Sequence, residues 1–240
     1  TLIRIVADYA RDFDSLGLSL TGGVDSRLVL AAMLNLGLRP VCYTFGSEYR
    51  TTFDVSTARS VAELAGVKHA EIPLGTDFLT RVREYLPQAI GRSQGGLGFP
   101  GAAELYLNET ASKVANARIT GNYGGEALRG ARIYGSKLPR GDFVRHGLLA
   151  DMTETARAFQ STRSQSDSLA FLLTTQVPSG FSRYAVEKSA VKSLASPFLE
   201  REMLALYSRR PEIPSDKDKL AQLVLARIAP PLASAPTDRG

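Results

Sequence analysis

The residues best placed to do chemistry in this chain are Thr21-Gly22-Gly23-Val24-Asp25-Ser26, preceded by the apolar Leu18-Ser19-Leu20. Two adjacent glycines let a backbone come close to an anion without a Cβ in the way, and hydroxyls at Thr21 and Ser26 add donors. A carboxylate at Asp25 would repel phosphate on its own. It makes sense where Mg²⁺ is held between carboxylate and phosphate oxygens. A plain glycine turn with Asp25 as a helix cap is the bland alternative. A second stretch, Thr120-Gly121-Asn122-Tyr123-Gly124-Gly125-Glu126, repeats the ingredients: a hydroxyl, glycines and an acid. No G-x-x-x-x-G-K-[ST] loop occurs, so the common lysine-bearing phosphate loop is excluded.

Such loops need strands and helices to aim them. Apolar residues at Leu2, Ile3, Ile5, Val6 and Tyr9 keep helical spacing to Asp12, and residues 16–20 form a short apolar run that ends in the Gly-Gly turn. After the turn, Asp25 and Ser26 sit where helix N-caps are favoured, and residues 28–36 read as an apolar helix that Gly37 can end. The unit then repeats. Residues 41–45 are rich in strand formers, 46–52 are a polar loop, 54–65 a helix ended by Gly66, and 68–72 a third strand. Helical patterns follow at 78–89 and 103–115, and 118–120 reads as a fourth strand entering the second glycine loop. Alternating strands and helices predict an α/β fold, a parallel sheet flanked by helices. From Gly141 onward the patterns are helical only, at 143–159, 168–176, 184–194, 201–209 and 217–228. The expected layout is an α/β nucleotide-binding core over 1–140 and an all-helical extension over 141–240.

Bulk properties narrow the function classes. A chain of 240 residues, 44% hydrophobic and 22% charged, can bury a large core. No apolar run reaches the roughly 18 to 20 residues that span a bilayer, which points to the cytoplasm. Its net charge of +5 is scattered among acids, so nucleic acid is an unlikely partner. Cys42, the one cysteine, sits in an apolar run and reads as an inert buried thiol. His69 and His146 are too few for a metal cluster and read as structural. Gly96-x-Gly98-x-x-Gly101 matches a dinucleotide fingerprint but follows a helical segment, so it reads as a loop. The absence of an initial Met and the polar residues at 236–240 suggest a piece of a longer protein.

Thr21-Gly22-Gly23-Val24-Asp25-Ser26 resembles the Ser-Gly-Gly-x-Asp-Ser pyrophosphate loop of the N-type ATP pyrophosphatases. Within that superfamily, several segments resemble the synthetase domain of asparagine synthetase: Tyr43-Thr44-Phe45-Gly46, His69-Ala70-Glu71, the second glycine loop and Ser196-Pro197-Phe198-Leu199-Glu200. The resemblance implies the adenine nucleotide alpha hydrolase-like fold, and ATP and Mg²⁺ as cofactors. It also implies an enzyme that adenylates a carboxylate, releases pyrophosphate and passes the acyl group to ammonia or an amine. On it, Leu20, Thr21, Gly22, Gly23, Asp25, Ser26, Thr44, Phe45, Thr120 and Gly121 would bind the nucleotide, with Asp25 holding the metal. Ammonia would come from a glutaminase domain, absent from this sequence, in cis or in trans.

The second loop departs from the family pattern Ser-Gly-(Glu/Asp/Tyr)-Gly-x-Asp-Glu. Asn122 stands at the third position and Gly125 replaces an acid, while Glu126 is kept. Glu126 and Asn122 are the candidate catalytic residues, with Lys217 or Lys219 in place of the family's C-terminal lysine and Glu48 as a further carboxylate. These departures leave related reactions open: β-lactam or macrolactam closure, tRNA modification, or nucleotide binding without catalysis.

Overall fold

The computed structural model describes residues 1–13, 15–129, 144–161, 181–209 and 219–237. The chain opens with α1 (Leu2–Asp12), β1 (Leu16–Ser19), α2 (Val24–Asn35), β2 (Val41–Ser47), α3 (Phe53–Ala65) and β3 (His69–Leu74). Two helices follow, α4 (Thr76–Arg92) and α5 (Phe99–Ser112), then β4 (Ala117–Thr120) and α6 (Gly124–Arg129). The C-terminal part carries α7 (His146–Ser161), α8 (Phe181–Ala190), β5 (Ser193–Ala195), a 3₁₀ turn (Pro197–Leu199), α9 (Arg201–Ser208), α10 (Lys219–Ile228) and α11 (Pro230–Ala233).

All strand pairs are parallel, in the order β3-β2-β1-β4-β5. Sequence order runs outward from β1 in both directions, so β1 and β4 flank the point where the winding reverses. Their loops diverge there and leave a crevice beyond the strand ends. Leu18 pairs with Cys42 on one side and Ile119 on the other.

Alternation along the strands sorts side chains to two faces. Leu18, Leu20, Cys42 and Ile119 join one core with α1, α2, α3 and the later helices. Tyr43 and Ile72 join the other with Phe78, Tyr85, Leu105, Tyr106 and Val186 from α4, α5 and α8. Helix α2 is apolar nearly all round because it is buried nearly all round, from Val24 and Leu28 to Met33. Gly37 then takes the left-handed φ of 75° that stops it. Helix α3 starts on Thr52, whose hydroxyl accepts from the Val55 amide at 3.3 Å, and ends on Gly66 at φ 62°.

The α/β expectation therefore holds, and the C-terminal part is predominantly helical, with one addition. Residues 184–194 read as one helix, yet the chain leaves α8 at Ala190 and adds β5 to the sheet. Three residues have too little sequence to show a period. Their strand conformation comes from pairing with Ala117, Arg118 and Ile119. The helix expected at 168–176 lies outside the described residues. Cys42 is buried as expected, and that burial pushes its thiol up to about 12.

Candidate functional site

The crevice at the β1/β4 divergence is a cleft of about 500 Å³. Of the residues picked from sequence, it is lined by Leu20, Thr21, Gly23, Asp25, Ser26, Thr44, Phe45, Thr120, Gly121 and Asn122. Gly22, between two of these lining residues, does not itself line the cleft.

The first loop is braced by its own hydroxyls. Ser26 Oγ accepts from the Thr21 amide at 3.1 Å and lies 3.0 Å from Thr21 Oγ1, which in turn accepts from the Gly23 amide at 3.2 Å. The Gly22 amide donates to the carboxylate of Asp54, at the start of α3. The N-cap of α2 is Gly23, without a side-chain cap, so Asp25 and Ser26 are inside the first turn and not at its cap. That frees Ser26 to close the loop and sets the Asp25 carboxylate near the helix N-terminus, where the macrodipole favours negative charge.

The second loop lies directly on this one. A Cβ on Gly121 would stand 2.6 Å from the Ser26 backbone nitrogen, and one on Gly124 would stand 2.7 Å from Asp25 Cβ. Only hydrogens fit. Between them, Tyr123 adopts φ 66°, a left-handed conformation uncommon for a bulky residue. Ser196 Oγ donates to the Asn122 carbonyl at 3.2 Å, and the buried Phe198 ring packs near Gly124. The Pro-Phe-Leu turn thus buttresses the second loop.

A ring of two arginines and two glutamates, closed by the Asn108 amide, lies on the other side. Arg118, on β4, donates to Asn108 Oδ1 and, at 3.2 Å, to Ser19 Oγ. Its guanidinium lies 3.8 Å from Glu187 and over the Phe45 ring. Glu187 accepts from Arg183 at 3.2 Å, Arg183 reaches Glu104 at 2.6 Å, and Asn108 Nδ2 returns to Glu104 Oε2 at 3.4 Å. Arg118 and Glu187 are only 6% and 2% exposed, and Asn108 is fully buried. Burial is the main reason the Glu187 carboxyl is raised above its ordinary range; Arg118 pulls the other way and Glu104 adds to the rise. Asn122 touches the ring through Nδ2, 3.5 Å from Glu187. Arg118, Glu104 and Arg183 face the cleft.

At the β2 end, the Thr44 hydroxyl donates to the Leu20 carbonyl at 2.7 Å and lies 2.8 Å from His69 Nε2. With the only hydroxyl proton spent on Leu20, Nε2 must carry the hydrogen. Burial lowers the His69 pKa, favouring that neutral form. His69 is structural, as expected.

Other expectations fall elsewhere. Glu48 does not approach the cleft: its carboxylate accepts from the Thr76 amide at 2.5 Å and covers the start of α4. Glu126 lies on α6, one turn beyond Asn122, and its side chain is outside the described residues. Lys217 is outside them too, and of Lys219 only its place at the start of α10 is described. Among the described residues, no three His, Cys, Asp or Glu side chains gather to hold a metal by themselves. Gly96 and Gly98 lie in the α4–α5 connection, and Gly101 is packed against Leu97 and Ala89, so the glycine fingerprint builds no ligand loop.

Asp54, Glu104, Arg118, Arg183 and Glu187 were not singled out from sequence. Arg118 had a signal, being the charged residue within a four-residue strand that is otherwise apolar or hydroxyl-bearing. The partners of the ring had none, because they come together only through the packing of α5 and α8.

A doubly wound parallel sheet with paired glycine loops at its switch point defines an α/β nucleotide-binding protein. The chain belongs to the asparagine synthase family, whose model matches residues 1–231. Membership places it among ATP-using, ligase-type enzymes. No curated protein matches the sequence. Among solved structures, an NH3-dependent NAD synthetase from Campylobacter jejuni is similar at 12% identity and TM-score 0.40, covering 89% of this chain and 96% of that one. An NMN synthetase from Francisella tularensis is similar at 13% identity and TM-score 0.38, covering 90% and 95%. No helix among the described residues is long and apolar enough to cross a membrane.

Proposed function

We propose that this chain is an ATP-dependent, amide-forming ligase that adenylates a carboxylate. A carboxylate oxygen of the acid attacks the α-phosphorus of ATP, the bond from that phosphorus to the bridging oxygen breaks, and pyrophosphate leaves. Ammonia or an amine then attacks the acyl carbon, giving the amide, AMP and a proton. The observation that carries this reading is the backbone contact between the two glycine loops, Gly121 on Ser26, at the floor of one cleft. Polyphosphate chemistry needs little covalent participation from the protein and much fixed positive potential, which two loops and a helix N-terminus supply.

Residue roles follow from position. Thr21, Gly23, Ser26, Thr120 and Gly121 would hold phosphates, and Thr44 and Phe45 would border the base. Asp25 fits Mg²⁺, which commonly takes one or two protein carboxylates and completes its shell with phosphate and water oxygens. When bound, that ion would neutralise charge on the departing pyrophosphate. Asn122 would face the incoming amine, and Glu126 is the second catalytic candidate. Ammonia from a glutaminase in cis or in trans, and a cytoplasmic setting, complete the proposal. The deciding test is ATP:pyrophosphate exchange across a panel of carboxylic and amino acids, starting with aspartate, with Asp25→Ala as control. Exchange stimulated by one acid and lost in the variant supports adenylation. ATP binding without exchange for any acid would sink it and favour a nucleotide-binding domain without catalysis.

A further inference from the structure

Arg27, in the first turns of α2, is completely buried, and its guanidinium is tied to two segments far apart in sequence. Nη2 donates to the Gly22 carbonyl at 3.0 Å and to the Pro236 carbonyl. Nη1 donates to Ala235 at 2.8 Å and Leu232 at 3.3 Å. Gly22 belongs to the first glycine loop, whereas 232–236 follow α11. Gly22 is therefore held through both of its peptide groups: Asp54 accepts from its N–H and Arg27 donates to its carbonyl.

The energetics make this more than a passing contact. A buried guanidinium is strongly unfavourable unless its donors are satisfied. Three of these four carbonyls come from 232–236, so undocking that segment would take those three acceptors from a charge that remains in the core. Leu232 and Ala235 are buried in the same core as α2, so docking of the segment and satisfaction of Arg27 go together. Nothing in the side-chain volume of a helix facing an apolar core calls for arginine. The acceptors do.

We propose that Arg27 is a positioning residue for nucleotide binding, coupling the orientation of the Gly22 peptide to the docking of residues 232–236. This rests on the ATP reading above. Coupling between sites is reciprocal: if the docked segment improves the loop's affinity for a polyphosphate, that ligand must strengthen docking by the same factor. Residues 232–236 do not line the cleft, and Arg27 is a direct hydrogen-bonded link from them to the Gly22 carbonyl.

Hydrogen exchange read by mass spectrometry, on the full chain with and without ATP and Mg²⁺, tests this with Arg27→Met and the milder Arg27→Lys. Nucleotide is expected to slow exchange at 232–236 as well as at the loop in the unsubstituted protein. Arg27→Met should speed exchange in both segments together without nucleotide and weaken ATP binding by about tenfold, within the usual range of site couplings. Its KM for the acid should be unchanged, and Arg27→Lys should restore part of the effect. If Arg27→Met does not fold, the same comparison is made on Arg27→Lys, where both segments must still respond. A variant with a lower Tm whose ATP affinity stays within twofold of the unsubstituted protein would reduce Arg27 to a structural role and overturn the proposal. So would faster exchange in only one segment. Failure of the unsubstituted chain to bind ATP would instead strike the nucleotide reading, while the joint response of the two segments would still decide the coupling.

Discussion

Gly121 lies so close to Ser26 that a Cβ at 121 would fall 2.6 Å from the Ser26 nitrogen and 2.9 Å from its Cα. The neighbours are backbone atoms at the start of a buried helix, so nothing can swing aside. Gly121→Ala should therefore push β4's loop off α2, costing about 1–3 kcal/mol as overpacking does, and ATP binding should fall with it. Urea denaturation and calorimetric ATP titration on the same variant would check both. Unchanged stability and unchanged affinity would mean that the two loops do not need to touch.

The ion pair of Arg118 and Glu187 is almost fully buried, and among the described residues Glu187 has only the exposed Arg183 as a further cationic partner, so removing either member leaves a buried charge poorly compensated. Arg118→Met and Glu187→Gln should each destabilise by about 3–5 kcal/mol, the range for breaking a buried pair. The double variant should cost clearly less than the sum, because neither charge is left alone. A double-mutant cycle in urea gives the coupling directly. Additive losses would show that the 3.8 Å separation contributes nothing.

What sequence could show about this site follows from how local each feature is. The first loop was legible because its parts lie within six residues of each other and its two adjacent glycines leave the backbone open to close approach. The sheet was legible from alternating strand and helix patterns, apart from β5, whose three residues acquire strand geometry from β4. The charge ring was not legible. Glu104, Asn108, Arg118, Arg183 and Glu187 are each ordinary residues, and their meeting depends on the angle at which α5 and α8 lie across the sheet. Arg27 was hidden differently: its position looks like part of an apolar helix, and its acceptors are backbone carbonyls that carry no sequence signature.

His69 should make stability depend on pH. Burial lowers its pKa in the folded state, so the unfolded chain binds the proton more readily. The neutral ring therefore contributes stability that is present above the ordinary histidine value of about 6.5 and is lost as pH falls through the lower folded value. Unfolding measured from pH 7 downward should show a steeper loss for the natural chain than for His69→Gln, which retains a donor for Thr44. Parallel profiles would remove His69 as the cause. Glu187 acts with the same pH ordering reversed: its raised carboxyl favours the folded state at low pH and loses that contribution as pH rises through the folded value.

Gly125 offers the sharpest test of how this site differs from its family pattern. It occupies the first turn of α6, directly after Gly124, which packs against Asp25. A carboxylate at 125 would stand at a helix N-terminus, where it is favoured by about 0.3–1 kcal/mol, so Gly125→Asp should not destabilise the fold. If Asp25 holds Mg²⁺, a second acid nearby should lower the Mg²⁺ concentration needed for half-maximal ATP:pyrophosphate exchange by several fold, since ligand charge sets the affinity of such sites. Exchange measured over a Mg²⁺ series in both proteins would read this directly. An unchanged half-saturation would separate Gly125 from the metal and leave Asp25 as its protein carboxylate. Higher Mg²⁺ demand would mean that the added charge repels the polyphosphate before it can share the ion.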